Sequence, residues 1–232
     1  GVREKVERDP PRLDAIVISH FHLDHWGDLV PWVWGTMFRS EEHTGPELWL
    51  PPGGRATLVD HGSRLGFPNM FERVFAAREF EPHEPFAVDG IRITTVPMLH
   101  YRMPAFGMRV EADGTTLSYS ADTGPTDALD ELAHDADLFV CEATLRDGSA
   151  DGLPRGHLSA DEAIEAFDRA IAADPSFALA HAAKAHALLE RGEGAASRAS
   201  MAAAKSLAGG ASERERSHVA FFDVLLSGDG EA

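Results

Sequence analysis

Apolar and polar positions along the first two thirds of the chain alternate with the period of strands and helices in turn. The last third keeps a helical period throughout. Ala15-Ile16-Val17-Ile18 is uncharged and rich in β-branched residues and follows Asp14, so it reads as a short buried strand. Leu29 to Phe38 is apolar and carries Trp32 and Trp34, and Pro31 is tolerated in the first turn of the helix predicted there. Glu47 to Leu50 reads as a strand ending at Pro51-Pro52, and Gly53-Gly54 opens a helix to about Leu65. Phe86 to Met98 forms two strands around Asp89-Gly90, and a second pair, Phe106 to Glu111 and Thr115 to Ser120, turns at Asp113-Gly114. A helix from Thr126 to His134 and a strand from Asp137 to Cys141 follow. Residues 1–13 are charged and predict a short helix ending before Pro10-Pro11.

Beyond this region the pattern is helical. Ser159-x-x-Glu162 is a capping box that opens a helix to Asp174. Helices are also predicted over 177–191, 194–208 and 212–227, the first stopping at Gly192. The expected organisation is an α/β domain over 1–158 and a helical segment over 159–232.

The densest chemistry lies where the first strand gives way to a loop, in Ser19-His20-Phe21-His22-Leu23-Asp24-His25-Trp26-Gly27-Asp28-Leu29. Imidazole and carboxylate together suit zinc, iron or manganese, and a loop lets alternate side chains converge. His20 and His22 can reach one ion, and Asp24 and His25 a second beside it. Two adjacent metals generate hydroxide at neutral pH and hold both the attacking and the leaving oxygen. Two further ligand types stand at strand ends, His100 and Asp122. Trp32 and Trp34 read as core packing or as pocket walls. His43, His61 and His83 read as surface residues, and His186 and His218 as helix-face residues.

His20-x-His22-x-Asp24-His25 resembles the signature of the metallo-β-lactamase-fold hydrolases, and the longer motif resembles the branch of ribonuclease Z and its phosphodiesterase relatives. Val96-Pro97-x-x-His100, Ser120-x-Asp122-Thr123, Glu142-Ala143-Thr144 and Gly156-His157-Leu158-Ser159 are similar to that branch as well. The resemblance covers roughly residues 10–160. It implies a partial αββα sandwich whose first strands are missing. It places two divalent ions, zinc first with manganese or iron as alternatives: one on His20, His22, His100 and Asp122, the other on Asp24, His25 and Asp122. A bridging hydroxide would attack phosphorus. Asp24 would orient it or take its proton, and His157 would protonate the leaving oxygen. The last ligand of the second ion is not evident. His181 would fill that place if Phe177–His181 were a strand, although the alanine-rich run to Leu189 favours a helix.

Ala163-x-x-x-Phe167-x-x-Ala170-x-x-x-x-Pro175 has the spacing of the second helix of a tetratricopeptide repeat, and the next helix resembles the first of another. The tail is therefore expected as an α-helical hairpin that binds a protein partner or self-associates.

Composition narrows the substrate. The 232 residues carry a formal net charge of −17, which argues against an extended nucleic-acid surface because phosphate contacts need Lys and Arg. Bound metals reverse the local sign, so a small phosphodiester or other ester remains a fitting substrate. Only 22 positions separate His100 from Asp122, too few for the tRNA-gripping arm of the resembled enzymes. Cys141 is the sole cysteine. That fits a reducing cytoplasm and, within an apolar run, a buried structural thiol. No apolar run reaches the length of a membrane span. Three readings follow: a phosphodiesterase; a lactonase or sulfatase on the same core; or a scaffold whose helical tail recruits a partner beside a vestigial metal site.

Overall fold

The computed structural model describes residues 13–38, 45–146, 148 and 151–227. The chain falls into two compact units, Gly1–Val140 and Cys141–Ala232, a division that lies ahead of the 158/159 boundary drawn from the sequence. The expected N-terminal helix and His43 lie outside the described residues.

The described residues of the first unit form two sheets. In one, β1 (Ala15–Val17) pairs parallel with β2 (Glu47–Leu50), and β2 pairs parallel with β3 (Ala76–Glu79). The other has the order β4 (Phe86–Val88), β5 (Ile91–Met98), β6 (Ala105–Ala112), β7 (Thr115–Tyr119), β8 (Leu138–Val140), antiparallel up to β7 and parallel between β7 and β8. Both predicted hairpins are present. Their Asp-Gly pairs have positive φ at each central residue, 46° and 83° at Asp89-Gly90 and 51° and 74° at Asp113-Gly114, as a two-residue turn matched to strand twist requires. The sheets meet through aromatic rings: Trp49 stacks on Phe86 at 4.0 Å, and Phe80 meets Phe106 edge-on at 5.2 Å.

Among the described residues, four helices belong to this unit: α1 (Leu23–Trp26), α2 (Leu29–Thr36), α3 (Gly54–Arg64) and α4 (Ala128–Ala133). Val33 of α2 and Leu58 of α3 share a core with Leu48 and Leu50 of the first sheet and with Ile18 just past β1. Leu132 of α4 packs so closely on β6 that Gly107 has no room for a side chain, since a Cβ there would run into Leu132 Cδ1 and lie 3.0 Å from the Tyr119 carbonyl oxygen. Helices thus cover both sheets, in the αββα order expected from the sequence.

The second unit holds α5 (Ala160–Ala173), α6 (Ala178–Glu190), α7 (Gly194–Leu207) and α8 (Glu213–Ser227). The capping box at Ser159 and Glu162 is formed on both sides. Ala178, Ala182 and Ala185 of α6 pack against Met201 and Ala204 of α7 and Val219 of α8. Small side chains let these helices approach closely. Ser197 and Ser200 of α7 fasten the pair by donating to the carbonyls of Ala185 (2.7 Å) and His181 (2.8 Å) on α6.

The tail is helical as expected, its four helices falling where the periodicity predicts them. Several other expectations need correction. Strand β3 was not anticipated, because Ala76-Ala77-Arg78-Glu79 has no apolar alternation. Cys141 is half-buried and not buried. His61 is half-buried, its ring edge-on to Trp26 at 5.0 Å, so it is a packing residue and not a surface one. His83 is exposed, as read. Trp34 packs against Phe38 and Phe67 and remains partly exposed.

Candidate metal centre

Strands β5 and β7 are both antiparallel to β6 between them, so they run in the same direction and end at the same sheet edge. His100 follows the end of β5, and Asp122 the end of β7. The end of β1, in the other sheet, is brought to this edge by the Phe106 amide, which donates to the Ser19 carbonyl across 3.1 Å. Gly124 in turn donates to the Leu99 carbonyl at 2.6 Å and ties the His100 and Asp122 loops together. Two non-glycine residues beside these ligands adopt left-handed backbone, Tyr101 (φ 49°) and Ala121 (φ 53°). Such conformations cost on the order of 1–2 kcal/mol each and persist where surrounding structure over-determines them.

The motif after β1 is not all loop. His22 stands at the N-cap position with extended backbone, and Leu23–Trp26 forms one helical turn. The Trp26 indole donates to the Phe21 carbonyl at 3.2 Å and anchors the turn. This turn presents His25 inward and Asp24 outward.

Asp122 is the hub. Its Oδ2 lies 3.2 Å from His25 Nε2, 3.8 Å from His20 Nε2 and 3.9 Å from His100 Nε2. His100 Nε2 lies 2.7 Å from His22 Nδ1. Ligand atoms of His20, His22, His100 and Asp122 all fall within 4.8 Å of one another. The structure therefore brings together the four residues that the resemblance placed on one ion, with His25 beside them on the shared carboxylate. Asp24 stays apart from the four, its side chain 79% exposed and its Oδ2 3.5 Å from His25 Nε2.

The donor set fits a divalent ion. His20 is fully buried. Its Nδ1 lies 3.1 Å from Ser19 Oγ, while its Nε2, turned to the centre, has no hydrogen-bond partner. A buried polar atom left unpaired is costly, and a metal bond would satisfy it. Burial, reinforced by the neighbouring imidazoles of His25 and His100 and opposed by Asp122, lowers the His20 pKa to about 4. The ring is thus neutral at pH 7, as ligation requires. Ligand atoms on one tetrahedral zinc stand roughly 3.4 Å apart, given bonds of about 2.1 Å. The His20, His25 and His100 separations from Asp122 bracket that spacing.

His157 belongs to the second unit, where its Nδ1 lies 3.0 Å from Glu142 Oε1. His181 lies on α6, so Phe177–His181 does not form a strand. Sequence reasoning missed three residues here. Ser19 orients His20, Tyr101 places its ring 5.0 Å from that of His100, and Glu142 pairs with His157. Glu142 had a signal in the Glu-Ala-Thr motif and Ser19 in the first motif. Tyr101 had none.

Residues 2–181 match the family of the beta-lactamase superfamily domain. The chain belongs to that superfamily. Within the superfamily, the chain is 27% identical over 156 residues to the probable metallo-hydrolase YhfI of Bacillus subtilis, covering 66% of this chain and 59% of that protein. It is 32% identical over 149 residues to ribonuclease Z of Mycobacterium bovis, covering 58% and 53%. The crystal structure of the metallo-β-lactamase-fold protein YhfI superposes with a TM-score of 0.53 at 23% identity, over 70% of this chain and 63% of that one. This likeness shows the fold. The chain spans a little over half the length of these curated relatives. The family match extends past the 158/159 boundary, through α5 and into α6.

Proposed function

We propose that this superfamily member is a dinuclear, zinc-type phosphodiesterase acting on small phosphodiesters. The observation that carries this reading is the single oxygen of Asp122 facing His20, His25 and His100, all within 4 Å. Such a carboxylate suits two ions, and similarity to a ribonuclease Z supports phosphodiester chemistry. Bound divalent ions supply Lewis acidity to the phosphoryl oxygens and lower the pKa of water. His20, His22, His100 and Asp122 would hold one ion, and His25, Asp122 and Asp24 the other. Asp24, solvent-facing and next to His25, would accept a proton from the attacking water. His157, its Nδ1–H donated to Glu142, would deliver a proton from Nε2 to the leaving oxygen.

The interval between His100 and Asp122 is taken up by the tight β6–β7 hairpin. With the net charge of −17, this supports a small substrate over a folded RNA. The test is a panel on the metal-loaded chain: bis(p-nitrophenyl) phosphate, cyclic nucleotides, a lactone and an aryl sulfate. Chelator-sensitive cleavage of the phosphodiesters supports the reading. Turnover of the lactone or sulfate alone replaces it with another hydrolase on the same core, and no turnover sinks it. A tetratricopeptide-like, partner-binding role for α5–α8 is a second reading, favoured by the alanine-lined packing of α6 on α7.

A further inference from the structure

We propose that Asp151 is the positioning residue for His157. The inference rests on the proton-donor role proposed for that histidine. Asp151 is nearly excluded from solvent, its side chain 2% exposed. Its Oδ2 accepts the amide N–H of Gly156 at 2.8 Å and of His157 at 3.0 Å, and its Oδ1 accepts that of Gly152 at 2.9 Å. One carboxylate thus gathers three backbone donors and closes the 151–157 loop on itself.

Arg155 completes the grip. Its Nη2 donates to the His157 carbonyl at 2.9 Å and its Nε lies 3.5 Å from Asp151 Oδ2. The same guanidinium forms a fork with Glu162 at 2.6 and 2.9 Å, and Glu162 closes the cap of α5. A planar fork of this kind sets direction as well as attraction. It lies flat on Gly148, where a Cβ would stand 2.7 Å from Arg155 Nη1. Both backbone polar groups of His157 are therefore held, the N–H by Asp151 and the C=O by Arg155, and Arg155 is anchored through Glu162 to the start of α5. A proton donor must keep its geometry within a narrow range to act in the transition state. A loop carrying Gly152 and Gly156 would not give that unaided.

Asp151→Asn keeps the shape but removes the charge. The conservative Asp151→Glu, His157→Ala and the unmodified protein complete the set. The probes are a phosphodiester with an alkyl leaving group and bis(p-nitrophenyl) phosphate, whose phenolate leaves without a proton. Proton donation contributes about 10²–10⁴-fold where the leaving group needs it. His157→Ala is expected to lose that much on the alkyl ester and little on the phenyl ester. Asp151→Asn is expected to show the same selective loss in kcat, about tenfold or more, with KM and metal content unchanged and partial recovery in Asp151→Glu. Equal loss on both esters would mark a merely structural carboxylate and overturn the proposal. If the unmodified protein cleaves neither ester, the phosphodiesterase reading fails, and amide hydrogen exchange decides the positioning claim. The Gly156 and His157 amides should exchange about tenfold faster in Asp151→Asn, with a shift in the His157 ring resonances. Unchanged exchange and ring signals would overturn it.

Discussion

The carboxylate of Asp122 lies 3.2 Å from the Nε2 of His25, and the same oxygen faces His20 and His100 within 4 Å. In the proposed two-ion centre, removing this oxygen should affect both ions. Asp122→Ala is expected to retain less than about one equivalent of metal, whereas His25→Ala should lose only the second ion and keep about one. Elemental analysis of the two variants distinguishes these outcomes. Equal metal loss in both would contradict the shared-oxygen geometry.

His20 gives a pH dependence with a defined sign. Its folded pKa, about 4, lies below the ordinary value of 6.5. Between these values the unfolded chain binds a proton that the folded chain refuses, so stability rises with pH across that window. The metal-free protein should therefore lose up to about 3 kcal/mol on acidification from pH 6.5 to 4. Urea denaturation along that series should show a shallower slope in His20→Asn. An identical slope in the variant would reject the assignment.

Glu162 has the opposite chemistry. Burial pushes its carboxyl pKa up, but hydrogen bonds from Arg155 and Ser159 together outweigh that and hold it below the usual carboxylate value. Its contribution is present above the ordinary carboxylate pKa and lost as pH falls through the lowered one. Glu162→Gln weakens both the capping box and the fork with Arg155. It should cost about 1–2 kcal/mol at pH 7, and the difference from the unmodified protein should vanish in acid. Helical circular dichroism during denaturation at the two pH values checks this.

Gly107 is expected to be intolerant of a methyl group. Gly107→Ala would push against Leu132 of α4 and should destabilise by about 1–3 kcal/mol. Leu132→Ala in the same chain should relieve the overlap, so the double variant should be less destabilised than the two single losses combined. Strict additivity would show that the close approach of α4 to β6 does not set the cost.

Much of this architecture was legible because local chemistry and global fold agree. The Asp-Gly pairs name their own turns, and Ser159 with Glu162 names its own cap. Strand β3 was silent because it is held by backbone pairing to β2, not by an apolar face of its own. The helical turn Leu23–Trp26 was hidden inside a motif read for its ligands, with no capping side chain at His22 to announce it. The ligand types were visible along the chain, but their convergence depends on non-local bonds such as Phe106 to Ser19, which no spacing encodes. The left-handed backbone at Ala121 also left no trace, since nothing about alanine marks a positive φ.

The most direct measurement is the metal content of purified, monodisperse protein after loosely bound ions are removed. About two equivalents of divalent metal per chain are expected, falling to below about one in Asp122→Ala. Less than one equivalent in the unmodified protein would contradict the account, because His20, His22, His25, His100 and Asp122 would then gather without holding an ion.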